Sequence, residues 1–190
     1  MKQKVGILSL QGDFLKHKQA IENCGHEAVY VKDRETLQKC DKLIIPGGES
    51  TTMLLLIDKL NLREALIEFG HQKAIMGTCA GLIVLATTRE HMPSDPLKLI
   101  DVKVKRNAYG RQVDSFIDTV KLNLNGKKID FEGVFIRAPK IRQISENVQP
   151  IGFHGEDMVM ARNERILVAT FHPELTDDST IHRYFIENFG

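Results

Sequence analysis

The sequence lacks the features that mark several classes of protein. It has no Trp and 3 Cys, and its formal net charge is +1, from 26 Lys and Arg against 25 Asp and Glu. A balanced charge provides no electrostatic basis for binding nucleic acid or an anionic membrane. The longest apolar stretch, residues 80–86, is far shorter than the roughly 20 residues of a membrane-spanning helix. We therefore expect neither a nucleic-acid-binding protein nor a membrane protein.

The amino terminus also lacks the pattern of an export signal. Residues 1–4 lead directly into a short strand-like run, without the long apolar region and small-residue cleavage site of a signal peptide. We therefore expect a cytoplasmic protein in which Cys24, Cys40 and Cys79 are free thiols. None of them lies in a Cys-x-x-Cys pair, so we expect no metal site, and no motif indicates a cofactor.

The first half of the chain alternates short apolar runs with helical patterns. The strand-like runs are residues 5–10, 28–31, 42–45 and 74–76. The helical patterns are residues 13–25, 35–39, 50–60, 62–69 and 80–87. Asp13 is a candidate N-cap of the first helix, and Ser50, Thr51 and Thr52 are candidates for the third. The alternation predicts βαβ units around a parallel sheet that is covered on both faces.

The second half has a different pattern, in which turns rather than helices separate the strand-like runs. These runs are residues 102–105, 115–124, 131–136, 148–153, 158–161 and 166–170. Asn125-Gly126 and Gly155 are typical of hairpin turns, which predicts an antiparallel or mixed arrangement. A last helix is predicted over residues 178–188. Without a repeat or a linker, we expect residues 1–190 to form a single α/β domain.

Cys79 is the strongest candidate for a catalytic residue. It is the centre of Gly77-Thr78-Cys79-Ala80-Gly81, which follows a strand and opens a helix in the pattern of a nucleophile elbow. Such a turn exposes the side chain, the helix N-terminus favours the thiolate, and the Ala80 N–H is placed to bind an oxyanion. The alternative is a buried cysteine in an apolar segment, which is common in proteins.

A cysteine nucleophile needs a base, and the base needs a residue that orients it. His172-Pro173-Glu174 follows the strand predicted at residues 166–170 and supplies both. In an extended backbone His172 and Glu174 would face the same side, because positions two apart share a face. The triplet alone is weak evidence, since a His and a Glu at a strand end are often only surface residues.

A glycine-rich loop, PGGESTT at residues 46–52, also follows a strand and opens a helix. In a doubly wound sheet, ligands bind at the carboxyl ends of the strands, where this loop and the elbow both lie. Gly47 and Gly48 allow the backbone to approach a ligand closely, and their N–H groups are candidates for the second oxyanion donor. The alternative is a glycine turn before a capped helix, with no ligand.

In this order, the three motifs resemble the class I glutamine amidotransferases. Finer matches resemble one family among them, the glutaminase subunit of pyridoxal 5′-phosphate synthase, over essentially the whole chain. The matching segments are LSLQG at 8–12, PGGESTT at 46–52, GTCAG at 77–81, RNAYGRQVDSF at 106–116, VFIRAP at 134–139 and FHPEL at 171–175. The segments at 106–116 and 134–139 are the most specific to this family.

The resemblance implies a flavodoxin-like three-layer sandwich, with a mostly parallel central sheet and an antiparallel extension. It implies a catalytic triad of Cys79, His172 and Glu174, with Gly47 and Ala80 in the oxyanion hole. The positions that match glutamine-binding residues are Gly48, Glu49, Ser50, Arg106, Ile136 and Arg137. The positions linked to a partner subunit are Gln11, Gly12 and His17.

The implied reaction converts L-glutamine and water to L-glutamate and ammonia through a thioester on Cys79. The implied partner is a (β/α)₈-barrel synthase subunit that uses the ammonia to build pyridoxal 5′-phosphate, in a complex of twelve synthase and twelve glutaminase subunits. Docking at Gln11 and Gly12 is implied to help set the oxyanion hole and to activate the glutaminase. Lys16 stands before His17 where many relatives have an acidic residue, which puts the docking contacts in doubt.

Other functions stay open on the sequence alone. A glutaminase of another pathway, such as histidine synthesis, would share the triad, although the segment at 106–116 argues against it. A non-catalytic binding module would not need an intact Cys79, His172 and Glu174. A cysteine peptidase would need an extended peptide groove, which one sequence does not exclude.

Overall fold

A computed structural model describes residues 1–87, 92–106 and 115–190 of the chain. The strands in these ranges are β1 (Lys4–Leu8), β2 (Glu27–Val31), β3 (Lys42–Ile45), β4 (Ala74–Thr78), β5 (Val102–Lys105), β6 (Ser115–Leu124), β7 (Lys127–Ile136), β8 (Lys140–Ile144), β9 (Gln149–His154), β10 (Asp157–Arg162) and β11 (Ile166–Ala169). The helices are α1 (Phe14–Asn23), α2 (Arg34–Gln38), α3 (Ser50–Lys59), α4 (Arg63–Gln72), α5 (Ala80–Leu85) and α6 (Thr180–Asn188). No helix in these ranges is long and apolar enough to span a membrane.

Most of the strands belong to one large sheet. In the described residues its order is β2-β1-β3-β4-β11-β10-β9-β6-β7. The part from β2 to β11 is parallel, and the strands from β10 to β7 extend it with antiparallel pairing. A separate antiparallel pair consists of β5 and β8. The predicted α/β class, a mostly parallel central sheet with an antiparallel extension, is confirmed.

The central sheet is buried on both faces. On β3, Leu43 and Ile45 pack into one apolar cluster and Ile44 packs into another on the opposite face, as the alternation of a strand requires. The first cluster includes side chains from α2, α3, α4 and α5, and the second includes side chains from α1 and α6. The helices therefore lie in two layers with the sheet between them.

The topology brings the candidate site residues to one edge of this sheet. Strands β3, β4 and β11 are parallel neighbours, so their carboxyl ends lie side by side. The glycine-rich loop follows β3, Cys79 follows β4, and His172 lies shortly after β11. Three segments that are far apart in the sequence therefore converge at the place where open α/β sheets bind ligands.

Some local expectations were wrong. The N-cap of α3 is Glu49 rather than one of the hydroxyl residues after it, and its carboxylate accepts from the N–H groups of Thr51 at 3.0 Å and Thr52 at 2.7 Å. Asp13 occupies the N-cap position of α1 but makes no capping hydrogen bond. Strand β8 was not predicted, because it alternates basic and polar residues with isoleucine and contains no continuous apolar run.

Candidate active site

Cys79 lies on a sharp turn between β4 and α5. Its backbone has φ 49° and ψ −103°, a positive φ that residues other than glycine rarely adopt. Its N–H donates to the carbonyl oxygen of Ala169 at 2.8 Å, which ties the turn to the end of β11. A Cβ on Gly81 would overlap the carbonyl oxygen of Ile45, so glycine is what allows α5 to begin so close to β3. This is the backbone geometry of a nucleophile elbow.

His172 and Glu174 meet on a short turn after β11. Pro173–Leu175 form a 3₁₀ helix, so the expectation that an extended backbone aligns the two side chains was wrong. The side chains still meet, with Nδ1 of His172 lying 2.7 Å from Oε1 of Glu174. The N–H of His172 donates to the carbonyl oxygen of Val134 at 2.8 Å, which fixes the start of the turn against β7.

The three triad candidates are coupled electrostatically. Burial lowers the pKa of His172, but hydrogen bonding to Cys79 and Glu174, together with their negative charges, raises that pKa to about 10. Burial raises the pKa of Glu174, but the nearby rings of His17 and His172 lower it to about 2. At neutral pH the arrangement therefore favours a His172 imidazolium paired with a Glu174 carboxylate.

Two of the three triad candidates, Cys79 and His172, border a cleft of about 510 Å³, a volume typical of small-molecule sites. Cys79, Ala80, His172 and Gln11 line it. Every residue that was expected to bind glutamine also lines it, namely Gly48, Glu49, Ser50, Arg106, Ile136 and Arg137. Ile83, one helical turn after Cys79, and Pro139, within the VFIRAP segment, line it too, although neither had been singled out.

The cleft contains charges of both signs. Burial raises the pKa of Glu49, but hydrogen bonds from Thr52 and Thr51 lower it to about 2, so this side chain is a carboxylate. Its Oε1 lies 3.5 Å from Nη2 of Arg106. Arg137 has φ 42°, a second positive φ at a residue that is not glycine. Residues 107–114 of the segment at 106–116 lie outside the described residues.

Gln11 and Gly12 pack directly against the glycine-rich loop. Oε1 of Gln11 accepts a hydrogen bond from the N–H of Glu49 at 2.8 Å. A Cβ on Gly12 would overlap the carbonyl oxygen of Gly47, and a Cβ on Gly47 would overlap the ring of His172. The segment that was expected to be linked to a partner therefore also supports the loop beside the triad candidates.

His17 is buried rather than exposed to a partner. Its side chain is inaccessible to solvent, so the expectation that His17 is linked to a partner is wrong for any direct contact. Its Nε2 lies 3.2 Å from Oγ1 of Thr78 and 3.4 Å from Oε2 of Glu174, and its Nδ1 lies 2.9 Å from Nε2 of His182. No sequence pattern connects His17 with His182, which is 165 positions away.

The described residues show no group of three or more His, Cys, Asp or Glu side chains that could hold a metal ion. Cys24 and Cys40 are free thiols, as is Cys79. What the cleft offers is therefore a thiol, a histidine–carboxylate pair and charged side chains of both signs. This set suits attack on a carbonyl carbon of a small zwitterionic molecule.

The sequence matches the family model described as the SNO glutamine amidotransferase family over residues 7–190. The chain belongs to this family. A relative named pyridoxal 5′-phosphate synthase subunit PdxT, from Fervidobacterium nodosum, is 46% identical over 184 residues, which are 96% of this chain and 95% of the relative. A relative of the same name from Bacillus cytotoxicus is 48% identical over 185 residues, which are 97% of this chain and 93% of the relative.

Solved structures agree with membership of the SNO family. A crystal structure described as a glutamine amidotransferase matches with a TM-score of 0.90 and 41% identity, covering 96% of this chain and 97% of that one. The predicted amidotransferase-like fold is thereby confirmed. The structure of PurLQS from Thermotoga maritima matches with a TM-score of 0.76 and 16% identity, covering 98% of both chains, and this likeness shows a shared fold alone.

Proposed function

We propose that this member of the SNO family hydrolyses the side-chain amide of L-glutamine and delivers the ammonia to the synthase subunit of pyridoxal 5′-phosphate synthase. Relatives that match nearly their whole length are named as a subunit of that enzyme. The observation that carries the proposal is the strained Cys79 elbow beside the 2.7 Å His172–Glu174 pair, both at one cleft. The activity belongs to a single domain of residues 1–190 that acts in the cytoplasm.

In this proposal Cys79 is the nucleophile, His172 transfers protons and Glu174 orients His172. The thiolate of Cys79 attacks the amide carbon, and the C–N bond then breaks as His172 donates a proton to the departing ammonia. Water gives a proton to His172 and attacks the thioester that remains. Cleavage of the C–S bond releases glutamate and restores the thiolate. Glu174 accepts from Nδ1–H of His172 throughout, which keeps Nε2 available to Cys79 and substrate.

Charged residues of the cleft account for recognition of glutamine. A guanidinium binds a carboxylate through two parallel hydrogen bonds, so Arg106 or Arg137 suits the α-carboxylate. The carboxylate of Glu49 suits the α-ammonium group. Arg106 and Glu49 lie 3.5 Å apart and carry opposite charges. They complement the α-carboxylate and the α-ammonium group, which are attached to the same carbon of glutamine. The remaining residues proposed to bind glutamine are Gly48, Ser50 and Ile136.

The tetrahedral intermediates need an oxyanion hole, for which we propose the N–H groups of Gly47 and Ala80. Ala80 is the first residue of α5, next to Cys79. The carbonyl of Gly47 abuts Gly12, and Gln11 holds the N–H of Glu49. We propose that a barrel-shaped synthase subunit docks on Gln11 and Gly12, in an assembly of twelve subunits of each kind. Because these two residues contact the glycine-rich loop, docking would reorient the Gly47 peptide. This provides a route by which docking activates hydrolysis.

Ammonia release from glutamine tests the proposal. It should be measured with and without the synthase subunit for the wild type, Cys79→Ala and the matched control Cys24→Ala. Cys24 is partly buried at the end of α1, where its thiol lies 3.8 Å from the carbonyl oxygen of Ser179, so its loss leaves the cleft intact. We expect release that the synthase stimulates in the wild type and the control and that Cys79→Ala abolishes. Release that survives Cys79→Ala contradicts the proposal.

Labelling with a glutamine-analogue electrophile separates this function from its alternatives. A glutaminase forms one adduct on Cys79, detected by peptide mass, and glutamine protects against it. A non-catalytic binding module forms no such adduct. Transfer of amide nitrogen from labelled glutamine into pyridoxal 5′-phosphate, in the presence of the synthase subunit, separates this pathway from others that use a related glutaminase.

A further inference from the structure

A buried chain of polar side chains continues from Glu174 beyond the triad candidates. His17, Thr78 and His182 are inaccessible to solvent, and Glu174 is 3% exposed. Nε2 of His17 lies 3.4 Å from Oε2 of Glu174 and 3.2 Å from Oγ1 of Thr78, while Nδ1 lies 2.9 Å from Nε2 of His182. The reaction proposed above uses only Oε1 of Glu174, so these contacts need their own explanation.

The positions of the protons follow from burial. Burial lowers the pKa of His17 and lowers that of His182 to about 3, so both rings are neutral and each carries one N–H. A carboxylate only accepts hydrogen bonds, so the proton of His17 is assigned to Nε2, which bonds Oγ1 of Thr78 at 3.2 Å and faces Oε2 of Glu174 at 3.4 Å. Its Nδ1 is then an acceptor for the Nε2–H of His182. This leaves Nδ1 of His182 as a bare acceptor, and in the described structure that atom has no hydrogen-bond partner.

The two carboxylate oxygens of Glu174 therefore face two different histidines. Oε1 lies 2.7 Å from Nδ1 of His172. Oε2 accepts no hydrogen bond of ordinary geometry from the described residues, and the nitrogen that faces it is Nε2 of His17. A carboxylate held at one oxygen alone can rotate about its Cγ–Cδ bond, whereas a polar N–H that faces the second oxygen from 3.4 Å favours one orientation of its plane. Such support for an orienting residue is what precise placement of an active site requires.

We propose that His17 is a positioning residue for glutamine hydrolysis, which faces Oε2 of Glu174 with its Nε2 so that Oε1 stays aimed at Nδ1 of His172. This inference rests on the proposed function, because it assigns His17 a role in the triad of that reaction. His182 acts one step further back, since its Nε2–H selects the tautomer of His17 that presents an N–H to Thr78 and Glu174. His17 touches neither the cleft nor the substrate.

Two neutral amide substitutions separate this role from a structural one. The amide nitrogen of glutamine extends to about the place of histidine Nε2, whereas that of asparagine extends only to about the place of Nδ1. His17→Gln therefore keeps a donor for Glu174, and His17→Asn removes it. Ile21→Val, a buried change on the same helix, controls for loosened packing of α1. The kcat and KM for glutamine are measured on the complex with the synthase subunit, from about pH 5 to about pH 9.

We expect His17→Gln to stay within about twofold of wild-type kcat and His17→Asn to lose about tenfold or more, with little change in KM. The loss in His17→Asn should be the same from about pH 5 to about pH 9, because the pKa of Glu174, lowered to about 2, lies far below this range. The other titratable groups around His17, namely Glu174, His172, His182 and Asp13, are the same in both variants. Ile21→Val should lower the melting temperature and leave kcat at the wild-type value.

Equal kcat in the two amide variants overturns the inference, and so do losses that only follow the melting temperature. If His17→Asn does not fold, His17→Met fills the space without a donor and carries the same expectation. Cys79→Ala in the same assay separates this inference from the proposed function. Activity in Cys79→Ala refutes the proposed function, whereas an inactive Cys79→Ala with a fully active His17→Asn refutes only the role of His17.

Discussion

Nδ1 of His172 lies 2.7 Å from Oε1 of Glu174, across a 3₁₀ turn that is tied to β7 through the backbone of His172. The pair is held from both sides, because the turn fixes its backbone and the buried ring of His17 lies 3.4 Å from the other oxygen of its carboxylate. The pKa values of the two groups move in opposite directions, to about 10 for His172 and about 2 for Glu174. An ion pair at this place is therefore the state that the fold favours at neutral pH.

Glu174→Gln should lower kcat by about 10²- to 10⁴-fold with little change in KM. The substitution keeps the shape of the side chain but removes the negative charge, and its amide stabilises the wrong tautomer of His172. Ammonia release in the complex with the synthase subunit measures the effect. Glu164→Gln, at an exposed position between β10 and β11, is the matched control and should behave as the wild type. A Glu174→Gln variant within twofold of the wild type would show that the carboxylate does not orient His172.

Mild acid should destabilise the protein through His182. Burial lowers the pKa of His182 from 6.5 to about 3, so between these values the unfolded chain binds a proton that the folded chain does not. The free energy of unfolding therefore falls as the pH falls from 6.5 towards 3. The lowered pKa of His17 acts in the same direction. We expect the urea concentration at the midpoint of unfolding to fall as the pH falls over this range. In His182→Gln the unfolding free energy should depend less steeply on pH, by the equivalent of about one bound proton.

Neighbouring groups do not obscure this slope. His172, whose pKa is raised from 6.5 to about 10, is protonated in both states well below pH 6.5, so its own contribution is constant over the lower part of the range. Glu174, whose pKa is lowered from 4.5 to about 2, adds its own loss of stability only below pH 4.5. His71→Gln, on the exposed side of α4, is the control and should keep the wild-type slope. Identical slopes for His182→Gln and the wild type would contradict a neutral buried ring.

Glu49→Ala should weaken both the fold and the binding of glutamine. The carboxylate caps α3 by accepting from the N–H groups of Thr51 and Thr52, and loss of such a cap costs about 1 kcal/mol. Loss of its charge in the cleft should raise KM about tenfold. Asp33→Ala removes the corresponding cap of α2, which accepts from the N–H of Thr36 at 2.8 Å far from the cleft. If Asp33→Ala raises KM as much as Glu49→Ala does, Glu49 acts only through stability.

Gly81→Ala should destabilise the protein by about 3 kcal/mol, because its Cβ would overlap the backbone carbonyl of Ile45. Gly70→Ala, in the interior of α4, provides the contrast. The Cβ there meets only methyl groups of Leu99 and Ile75, which can shift, and alanine favours a helix more than glycine does. Chemical unfolding compares the two variants. Equal stability would mean that α5 can move away from β3 without cost.

The features that could be predicted from the sequence are those with local signals. The parallel strands are short apolar runs, and the elbow and the loop after β3 carry glycines at the points where the backbone turns sharply or approaches another segment. Cys79 could be proposed because glycines flank it at a strand-to-helix junction, and His172 and Glu174 could be proposed because a cysteine nucleophile needs a base and a residue that orients it. The resemblance to a family then assigned the residues of the cleft, which no spacing rule connects.

The features that could not be predicted depend on contacts between distant segments. His17 and His182 pair across the whole chain, and nothing near either residue indicates the other. Glu49 was overlooked as a helix cap because Ser, Thr, Asp and Asn usually fill that position. The 3₁₀ turn at His172 was interpreted as extended chain, since a proline permits both conformations. In each case tertiary packing decided between local alternatives of similar energy.

The position of β11 has a consequence for how the molecule is made. This strand follows every other strand of the described chain, yet it lies between β4 and β10 in the middle of the sheet. A nascent chain that has emerged from the ribosome only as far as β10 therefore has β4 as an open edge, with the thiol of Cys79 beside it and His172 still missing. Such an edge invites pairing with other chains. Completion of the sheet and assembly of the catalytic centre are thus the same late event in synthesis.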